Sequence, residues 1–446
     1  MSEHAQIPGI IIAGTHSGCG KTTVARGLMQ AFRERGFVVQ PCKVGPDFID
    51  PSHHTAICGR VSRNLDPFMM GEEGVVRSYV RACRGADIAV VEGVMGMFDG
   101  LDGTAESSTA HVAELLSLPV LLVVDVRGMS RSAHAVVRGF CSMPGGERIR
   151  GVIFNRLGSP RHRDLIERTL GPLPVGWMKR REGLEVRSRH LGLVMASEVV
   201  DDGTSGNAVA EDCDLDEILR IARSAPPLCT GDEMQPGGGD RPVIGIARDE
   251  AFCFYYQDNL DSLVAAGADL CFFSPVRGEM PEMDALYLGG GYPELHAAAL
   301  ANSPAMDGIR AAADQGMPIY GECGGLLALA GSITTDREYR MAGVLPATAT
   351  MTGSVAALGY SDGRATGRNS FVHEGMQIRG HEFHYSRVEC PADARFLFRL
   401  TRGKGIAAGM DGLFEHETVG SYTHSYFSAE FSGAFVSAAR KFRAGP

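Results

Sequence analysis

The chain has 446 residues, 44% of them hydrophobic and 22% charged, which is enough apolar material for two or three buried cores. Its net charge of -10 argues against a nucleic-acid or membrane-surface protein and leaves acidic small molecules to be decided by local fields. Eleven cysteines with no C-x-x-C pair fit neither a zinc site nor a secreted disulfide framework; no apolar run of about 18 residues occurs, and MSEHAQIPG has no signal-peptide pattern, so the expectation is a reduced, cytoplasmic protein without a membrane span.

From the N-terminus, GIIIAG (9–14), ADIAVVEG (86–93), VLLVVDV (120–126) and GVIFNR (151–156) read as buried parallel strands, apolar on both faces. VVQPCKV (38–44) adds another short strand. Helical patterns lie between them. Val24, Leu28, Ala31 and Phe32 share one face directly after the first loop, and this alternation predicts a doubly wound sheet.

The first strand runs into GTHSGCGKTT (14–23) and then into an amphipathic helix. Glycines such as Gly18 and Gly20 let backbone N–H groups close around an anion, and the helix start adds a favourable dipole. Lys21 reaches the outer phosphates, and Thr22, followed by Thr23, offers a hydroxyl to Mg. Thr15 occupies the first-glycine position of the G-x-x-x-x-G-K-[ST] string, with Gly14 one residue earlier. A Mg-nucleotide site also needs carboxylates. Glu92 stands at a C-terminal strand tip, and KVGPDFIDP offers Asp47 or Asp50, with Lys43 to neutralise phosphate. Each lone carboxylate has the bland alternative of a solvated loop charge or a helix cap. Asn155, at the tip of GVIFN, is open to two readings: a hydrogen bond to a base edge, or an Asx turn.

Residues 225–241, APPLCTGDEMQPGGGDR, are rich in Pro and Gly and carry no apolar period. They read as a linker, which sets the expected domains at 1–225 and 242–446 with 226–241 between. A second strand series follows in RPVIGIA (241–247), DLCFFSP (269–275), ALYLGGG (285–291) and MPIYGE (317–322). After about residue 340, Gly-punctuated alternating stretches such as GHEFHYSRVE and LFEHETVGSYTHSYF predict antiparallel strands on or beside the second sheet.

PIYGECGGLLALA (318–330) places Cys323 between a short apolar strand and an apolar helix, flanked by Glu and Gly. This strand–turn–helix with small neighbours is the pattern of a nucleophile elbow, and the helix start favours thiolate. Its base is sought among His373, His381, His384, His416 and His424. His424 is preferred, because SYTHSYF follows an alternating strand and ends at a turn. The N–H groups of GGGYPE (Gly290, Gly291), with that of Gly324, suit an oxyanion hole. His381 and His384 form H-x-x-H; with no third ligand at regular spacing, substrate contact or core packing is preferred to metal.

GTHSGCGKTT, PCKVGPDFIDPSHH, NLDPF, EGVMGMFDG, GGGYPE, GECGG, GHEFHYS and SYTHSYF follow one another in the order seen in cobyrinate a,c-diamide synthases, glutamine-dependent amidotransferases of corrinoid biosynthesis. The chain resembles that family along nearly its whole length, and the motif set is specific although no single motif is. The resemblance implies an α/β protein: an N-terminal dethiobiotin-synthetase-like P-loop doubly wound sheet, then a C-terminal class I glutaminase α/β domain. It implies ATP phosphates at Gly18, Gly20, Lys21 and Thr22, with Lys43 also near phosphate; Thr23 and Asn155 are added to the nucleotide set from their places in the loop and at the strand tip. Thr22, Asp47 and Glu92 become the Mg ligands, Cys323 the glutaminase nucleophile and His424 its base. Asp50 then lies by the carboxylate being activated, and His381, His384 and Tyr385 shape the tetrapyrrole site. A polyacidic macrocycle also needs positive charge, so a local basic rim is expected, with Arg63, Arg60 and Lys43 as candidates.

The implied partners are small molecules (ATP, glutamine and a tetrapyrrole polycarboxylate), without nucleic acid or membrane; a homodimer is left open, since the sequence does not reveal the oligomeric state. Two departures stand out. Tyr426 occupies the position two residues after the histidine where class I glutaminases carry Glu, which fits a Cys–His pair. The first-loop lysine of partitioning-type P-loop ATPases is missing, with His16 in that region. Relatives with the same chemistry act on hydrogenobyrinate or nickel-sirohydrochlorin, so the macrocycle stays open. A non-catalytic P-loop nucleotide-binding or regulatory protein is the rival from another class; the intact GECGG and His424 speak against it.

Overall fold

The structure, a computed structural model, describes residues 4–5, 7–168, 173–181, 203–229 and 240–445. The chain divides into two units, Met1–Asp232 and Glu233–Pro446. Of the expected linker, residues 230–239 lie outside the described residues. In the first unit the strands are β1 (His4–Ala5), β2 (Gly9–Gly14), β3 (Val39–Val44), β4 (Arg63–Leu65), β5 (Ile88–Glu92), β6 (Val120–Asp125), β7 (Ile149–Leu157), β8 (Pro174–Lys179) and β9 (Leu228–Cys229).

Strands β2–β8 form one sheet in the order β4-β3-β5-β2-β6-β7-β8, with every pairing parallel. The alternation of side chains explains why the runs are apolar throughout. Ile10 and Ile12 of β2 pack with Val24, Leu28 and Phe32 of the helix Lys21–Glu34, while Ile11 and Ala13 pack on the opposite face with Val75 and Tyr79 of the helix Pro67–Ala82. Helices on both faces bury both, as the doubly wound pattern requires. β1 pairs with β9, so Leu228–Cys229, inside the range expected as linker, belongs to the first unit.

In the second unit the strands are β10 (Val243–Ala247), β11 (Asp269–Phe273), β12 (Ala285–Leu288), β13 (Ile319–Glu322), β14 (Ser332–Thr334), β15 (Glu338–Arg340), β16 (Thr348–Met351), β17 (Ala357–Ala365), β18 (Gln377–His384), β19 (Ser386–Glu389), β20 (Phe396–Arg402), β21 (Met410–Glu415), β22 (Thr418–Ser421) and β23 (His424–Ser425). The main sheet runs β11-β10-β12-β13-β22-β21-β20-β17-β18-β23. Its β11–β10–β12–β13–β22 part is parallel and the remainder antiparallel. The late alternating stretches therefore mostly extend the second sheet itself, while SRVE, as β19, joins β15-β14-β16 in a smaller sheet.

Candidate active site

The parallel register brings the first group of residues together. Glu92 at the end of β5 is the cross-strand neighbour of Lys43 on β3 and of Ile12 on β2. The loop after β2 therefore opens beside both side chains, at the C-terminal strand ends where open α/β sheets bind ligands. Gly20, just before the helix, has φ +104°, and a Cβ there would lie 2.1 Å from Asn155 Nδ2. Asn155 Nδ2 donates to the Cys19 carbonyl at 2.8 Å, and its Oδ1 accepts from Arg156 N at 2.9 Å. Both ends of this amide are engaged within the protein, so in this structure Asn155 braces the phosphate loop from behind.

Gly18, Lys21, Thr22, Lys43, Asp47 and Glu92 line one cavity of ≈190 Å3. Lys21 Nζ donates to the carbonyls of His16 and Met95, arching over the loop. Burial is the largest influence on Lys21 and lowers its pKa, with Lys43 adding to it against Cys19, Glu92 and Asp50. Thr22 Oγ1 donates to Glu92 Oε1 at 2.6 Å, and Lys43 Nζ donates to the same oxygen at 2.8 Å. Lys43 also donates to Asp50 and stands 3.6 Å from Asp47 Oδ2. Burial alone would raise Glu92, but Lys43 and then His54 hold it well below the usual carboxylate range. Asp50 goes the other way: burial first, then the Glu92 charge, lift it well above that range.

A hydroxyl and carboxylates around one cavity make an all-oxygen donor set that suits a hard divalent cation. Among the described residues no group of three His, Cys, Asp or Glu stands close enough to hold a metal by itself. A cation here would draw on Thr22 and on phosphate oxygens besides carboxylates, which is how Mg is ordinarily held in nucleotide sites.

The second group is built around the turn from β13 into the helix Gly324–Leu329. Cys323 has φ 46° and ψ -97°, a strained conformation of the kind kept where a nucleophile is lifted out of the chain. Its backbone N–H donates to the Ser421 carbonyl at 2.7 Å, which fixes the turn against β22. The thiol is buried, and burial, followed by the charges of Glu294, Glu322 and Glu382, pushes its pKa up despite the Gly324 N–H. This corrects the expectation of a helix start favouring thiolate: the helix has only six residues, and desolvation outweighs it.

His424 lies in β23, directly opposite His381 of β18, and is buried. A Cβ on Gly290 would lie 2.3 Å from His424 Cε1, so the glycine loop forms a wall against the ring. Gly291 and Gly324 also approach: a Cβ on Gly324 would sit 3.1 Å from Gly291 N. Burial, then His381 and His384, hold His424 well below the usual histidine pKa. Glu322, one residue before Cys323, accepts the N–H of Ser425, one residue after His424, at 2.9 Å. The thiol turn, the glycine loop and the histidine strand thus meet in one place.

Other anticipated residues sit as follows. His384 is buried, stacked on Tyr422 at 3.6 Å, and bonded through Nδ1 to the Ser386 carbonyl; burial takes its pKa down to about 4. Tyr385 follows it, half-buried. Thr23 lies in the first turn of the helix after the phosphate loop. Arg63 opens the edge strand β4. Arg60 donates to Gln40, Ala82 O and Arg84 O, so the structure gives it a bracing role and no place on a free rim.

Several site residues escaped sequence reasoning. His54 Nε2 lies 2.8 Å from Glu92 Oε2; its signal was its place four residues after Asp50 on one helix. Asp411 accepts from Ser421, Tyr422 and Thr423 just before His424, and nothing in LFRLTRGKGIAAGMDG marks it.

A phosphate loop in one unit and a thiol on a strained strand–helix turn in the other define a P-loop glutamine amidotransferase. Residues 10–193 match the CobQ/CobB/MinD/ParA nucleotide binding domain, and residues 243–431 match the CobB/CobQ-like glutamine amidotransferase domain. The chain is 40% identical to a cobyrinate a,c-diamide synthase of Methanosarcina barkeri, covering 98% of this chain and 97% of the relative. It is 41% identical to the Methanosarcina acetivorans enzyme (99% and 97% covered) and 40% identical to that of Archaeoglobus fulgidus (98% of each). The chain belongs to the cobyrinate a,c-diamide synthase family.

Proposed function

We propose that this protein uses ATP and glutamine to convert the a and c acetate carboxylates of cobyrinate into amides, a step of cobalamin biosynthesis. The observation that carries the proposal is the pairing, in one chain, of the Lys21–Thr22–Glu92 cavity with the Cys323 turn. Neither site alone explains the other.

In the glutaminase unit, Cys323 Sγ attacks the side-chain amide carbon of glutamine. His424 takes the thiol proton and delivers it to the departing nitrogen as the C–N bond breaks. The N–H groups of Gly291 and Gly324 take the developing oxyanion charge. Water then hydrolyses the thioester, freeing Cys323 and glutamate.

A carboxylate does not accept ammonia directly, because oxide is a very poor leaving group. In the synthetase unit the acetate oxygen attacks the γ-phosphorus of ATP as the bond to the bridging oxygen breaks, giving an acyl phosphate and ADP; ammonia then adds to the acyl carbon, loses a proton and expels phosphate. Lys21 turns from the His16 and Met95 carbonyls to phosphate oxygens, and Lys43 neutralises further charge. Thr22, Asp47 and Glu92 would hold Mg, which when bound neutralises phosphate charge. Asp50 lies on the helix beside Lys43, where it orients the incoming carboxylate.

The test is amide formation and ATP turnover in Cys323→Ala. Transfer from glutamine falls by about 10^3-fold or more, and added ammonia restores it. Continued transfer from glutamine, or no rescue by ammonia, sinks the proposal. Offered cobyrinate, hydrogenobyrinate and nickel-sirohydrochlorin in competition, the enzyme amidates cobyrinate with the highest kcat/KM.

A further inference from the structure

We propose that His381 is a positioning residue of the glutaminase site, holding the ring of His424 in the plane from which it takes the Cys323 proton. The inference rests on the reading of Cys323 and His424 as nucleophile and base. It addresses what that reading leaves open, namely what orients the histidine when the residue two positions on is Tyr426.

The sheet register supplies the answer. His381 on β18 and His424 on β23 are direct antiparallel partners, so their side chains project to the same face as neighbours. Their rings lie face to face, with centroids 5.0 Å apart and planes 21° apart. His381 is itself anchored, because Tyr256 Oη lies 2.9 Å from its Nδ1. Tyr256 is buried and immediately precedes the helix Gln257–Ala265, a rigid mount. Against His424 stands Gly290, where even a methyl group would reach within 2.3 Å of Cε1. The base is thus set between a wall without a side chain and a ring that cannot swing away.

The arrangement differs electrically from a histidine backed by a carboxylate. A carboxylate favours the imidazolium; a second imidazole, once protonated, disfavours it. The titratable groups around His424 include His381 and His384 on β18, Tyr256 behind His381, Glu322 through the Ser425 N–H, and Cys323, whose proton it is proposed to take. Burial acts first and His381 second in keeping His424 neutral, the form a base needs. The position thus combines a fixed ring plane with a base that stays uncharged well into the acid range.

The experiment follows glutaminase activity against pH, thermal unfolding, and ammonia-driven amidation in the full-length protein. His381→Ala lowers glutaminase kcat by about 10–100-fold, with KM for glutamine changed less than about threefold. Its acid limb moves to higher pH, because His424 has lost a like-charged neighbour. Tyr256→Phe lowers kcat about 3–10-fold in the wild-type background and adds nothing to His381→Ala, as expected of a residue acting through His381. If His381→Ala does not fold, His381→Phe keeps the ring volume and still moves the acid limb upward. An unmoved limb, full additivity with Tyr256→Phe, or a loss confined to the macrocycle KM in the ammonia assay overturns the proposal. His424→Ala and Cys323→Ala, run alongside, test the underlying reading separately: wild-type glutaminase in either one refutes that reading whatever His381 does.

Discussion

Glu322 and Ser425 are bound to each other across the glutaminase site: the Ser425 N–H donates to Glu322 Oε1 at 2.9 Å. One residue precedes Cys323 and the other follows His424, so this bond fixes the spacing between those two. Tyr287 Oη donates to the other carboxyl oxygen at 2.8 Å. Burial pushes the Glu322 pKa from 4.5 up to about 8, and the Ser425 N–H and the Tyr287 and Tyr320 hydroxyls oppose it only in part.

That shift makes stability depend on pH. The folded protein keeps a proton that the unfolded chain releases above pH 4.5, so this contribution is whole below 4.5 and is lost as pH rises to about 8. Glu322→Gln keeps an acceptor for Ser425 and removes the titration. Its Tm should fall less than that of the wild type between about pH 5 and about pH 8. Scanning calorimetry across that range is the check, and equal slopes for the two proteins would exclude Glu322 from the proton balance.

Gly290→Ala should disable the glutaminase selectively. The new methyl group would lie 2.3 Å from His424 Cε1, so either the ring or the loop must move. A displacement of about 1 Å at a catalytic group costs on the order of 10^2-fold in rate. Glutamine hydrolysis should fall by about that factor while ammonia-driven amidation persists. Unchanged hydrolysis would mean that the glycine wall does not hold the base.

Lys43 is the hub of the buried charges, with Glu92, Asp47 and Asp50 around it. Lys43→Met leaves those carboxylates without their cation, and removing one partner of a buried pair typically costs about 3–5 kcal/mol. Urea unfolding should register a loss of that size. Ammonia-driven amidation should fall by about 10^2-fold or more, because phosphate charge is no longer neutralised. A loss of stability below about 1 kcal/mol would show that the ion cluster does not support the fold.

Asp411 accepts from Ser421 Oγ, Tyr422 N, Thr423 N and Thr423 Oγ1 at 2.6, 3.0, 3.1 and 2.8 Å. Those donors span the end of β22 and the turn that leads to His424. Asp411→Ala strands buried donors at a cost of about 1–3 kcal/mol each before relaxation, so Tm should drop and glutaminase should fall with it. Asp411→Asn, which keeps one acceptor oxygen, should lie between Asp411→Ala and the wild type. Full activity in the alanine variant would detach this turn from the placement of His424.

Where side-chain periodicity and turn chemistry were strong, the architecture could be read from the chain. GIIIAG, VLLVVDV and the Cys323 turn are local patterns, and their elements lie where those patterns fall. Weakly patterned elements were not legible. The edge strand Arg63–Leu65 has three residues, and Pro174–Lys179 begins with proline and carries Gly, Trp and Lys. Both owe their strand state to an adjoining strand in the sheet and not to their own composition. His54, Glu322 and Asp411 were missed for a related reason, since a buried polar residue acquires its role from the donors and acceptors that distant segments bring to it.

By itself, then, the sequence determined the phosphate loop, the thiol turn and the alternation of strands and helices, because each depends on residues adjacent in the chain and on the backbone angles those residues tolerate. Only the tertiary structure decided that Lys43 meets Glu92, that Glu322 holds Ser425 and that His381 faces His424. Such pairings depend on strand order and register between remote segments, and a shift of one residue would send each of these side chains to the opposite face.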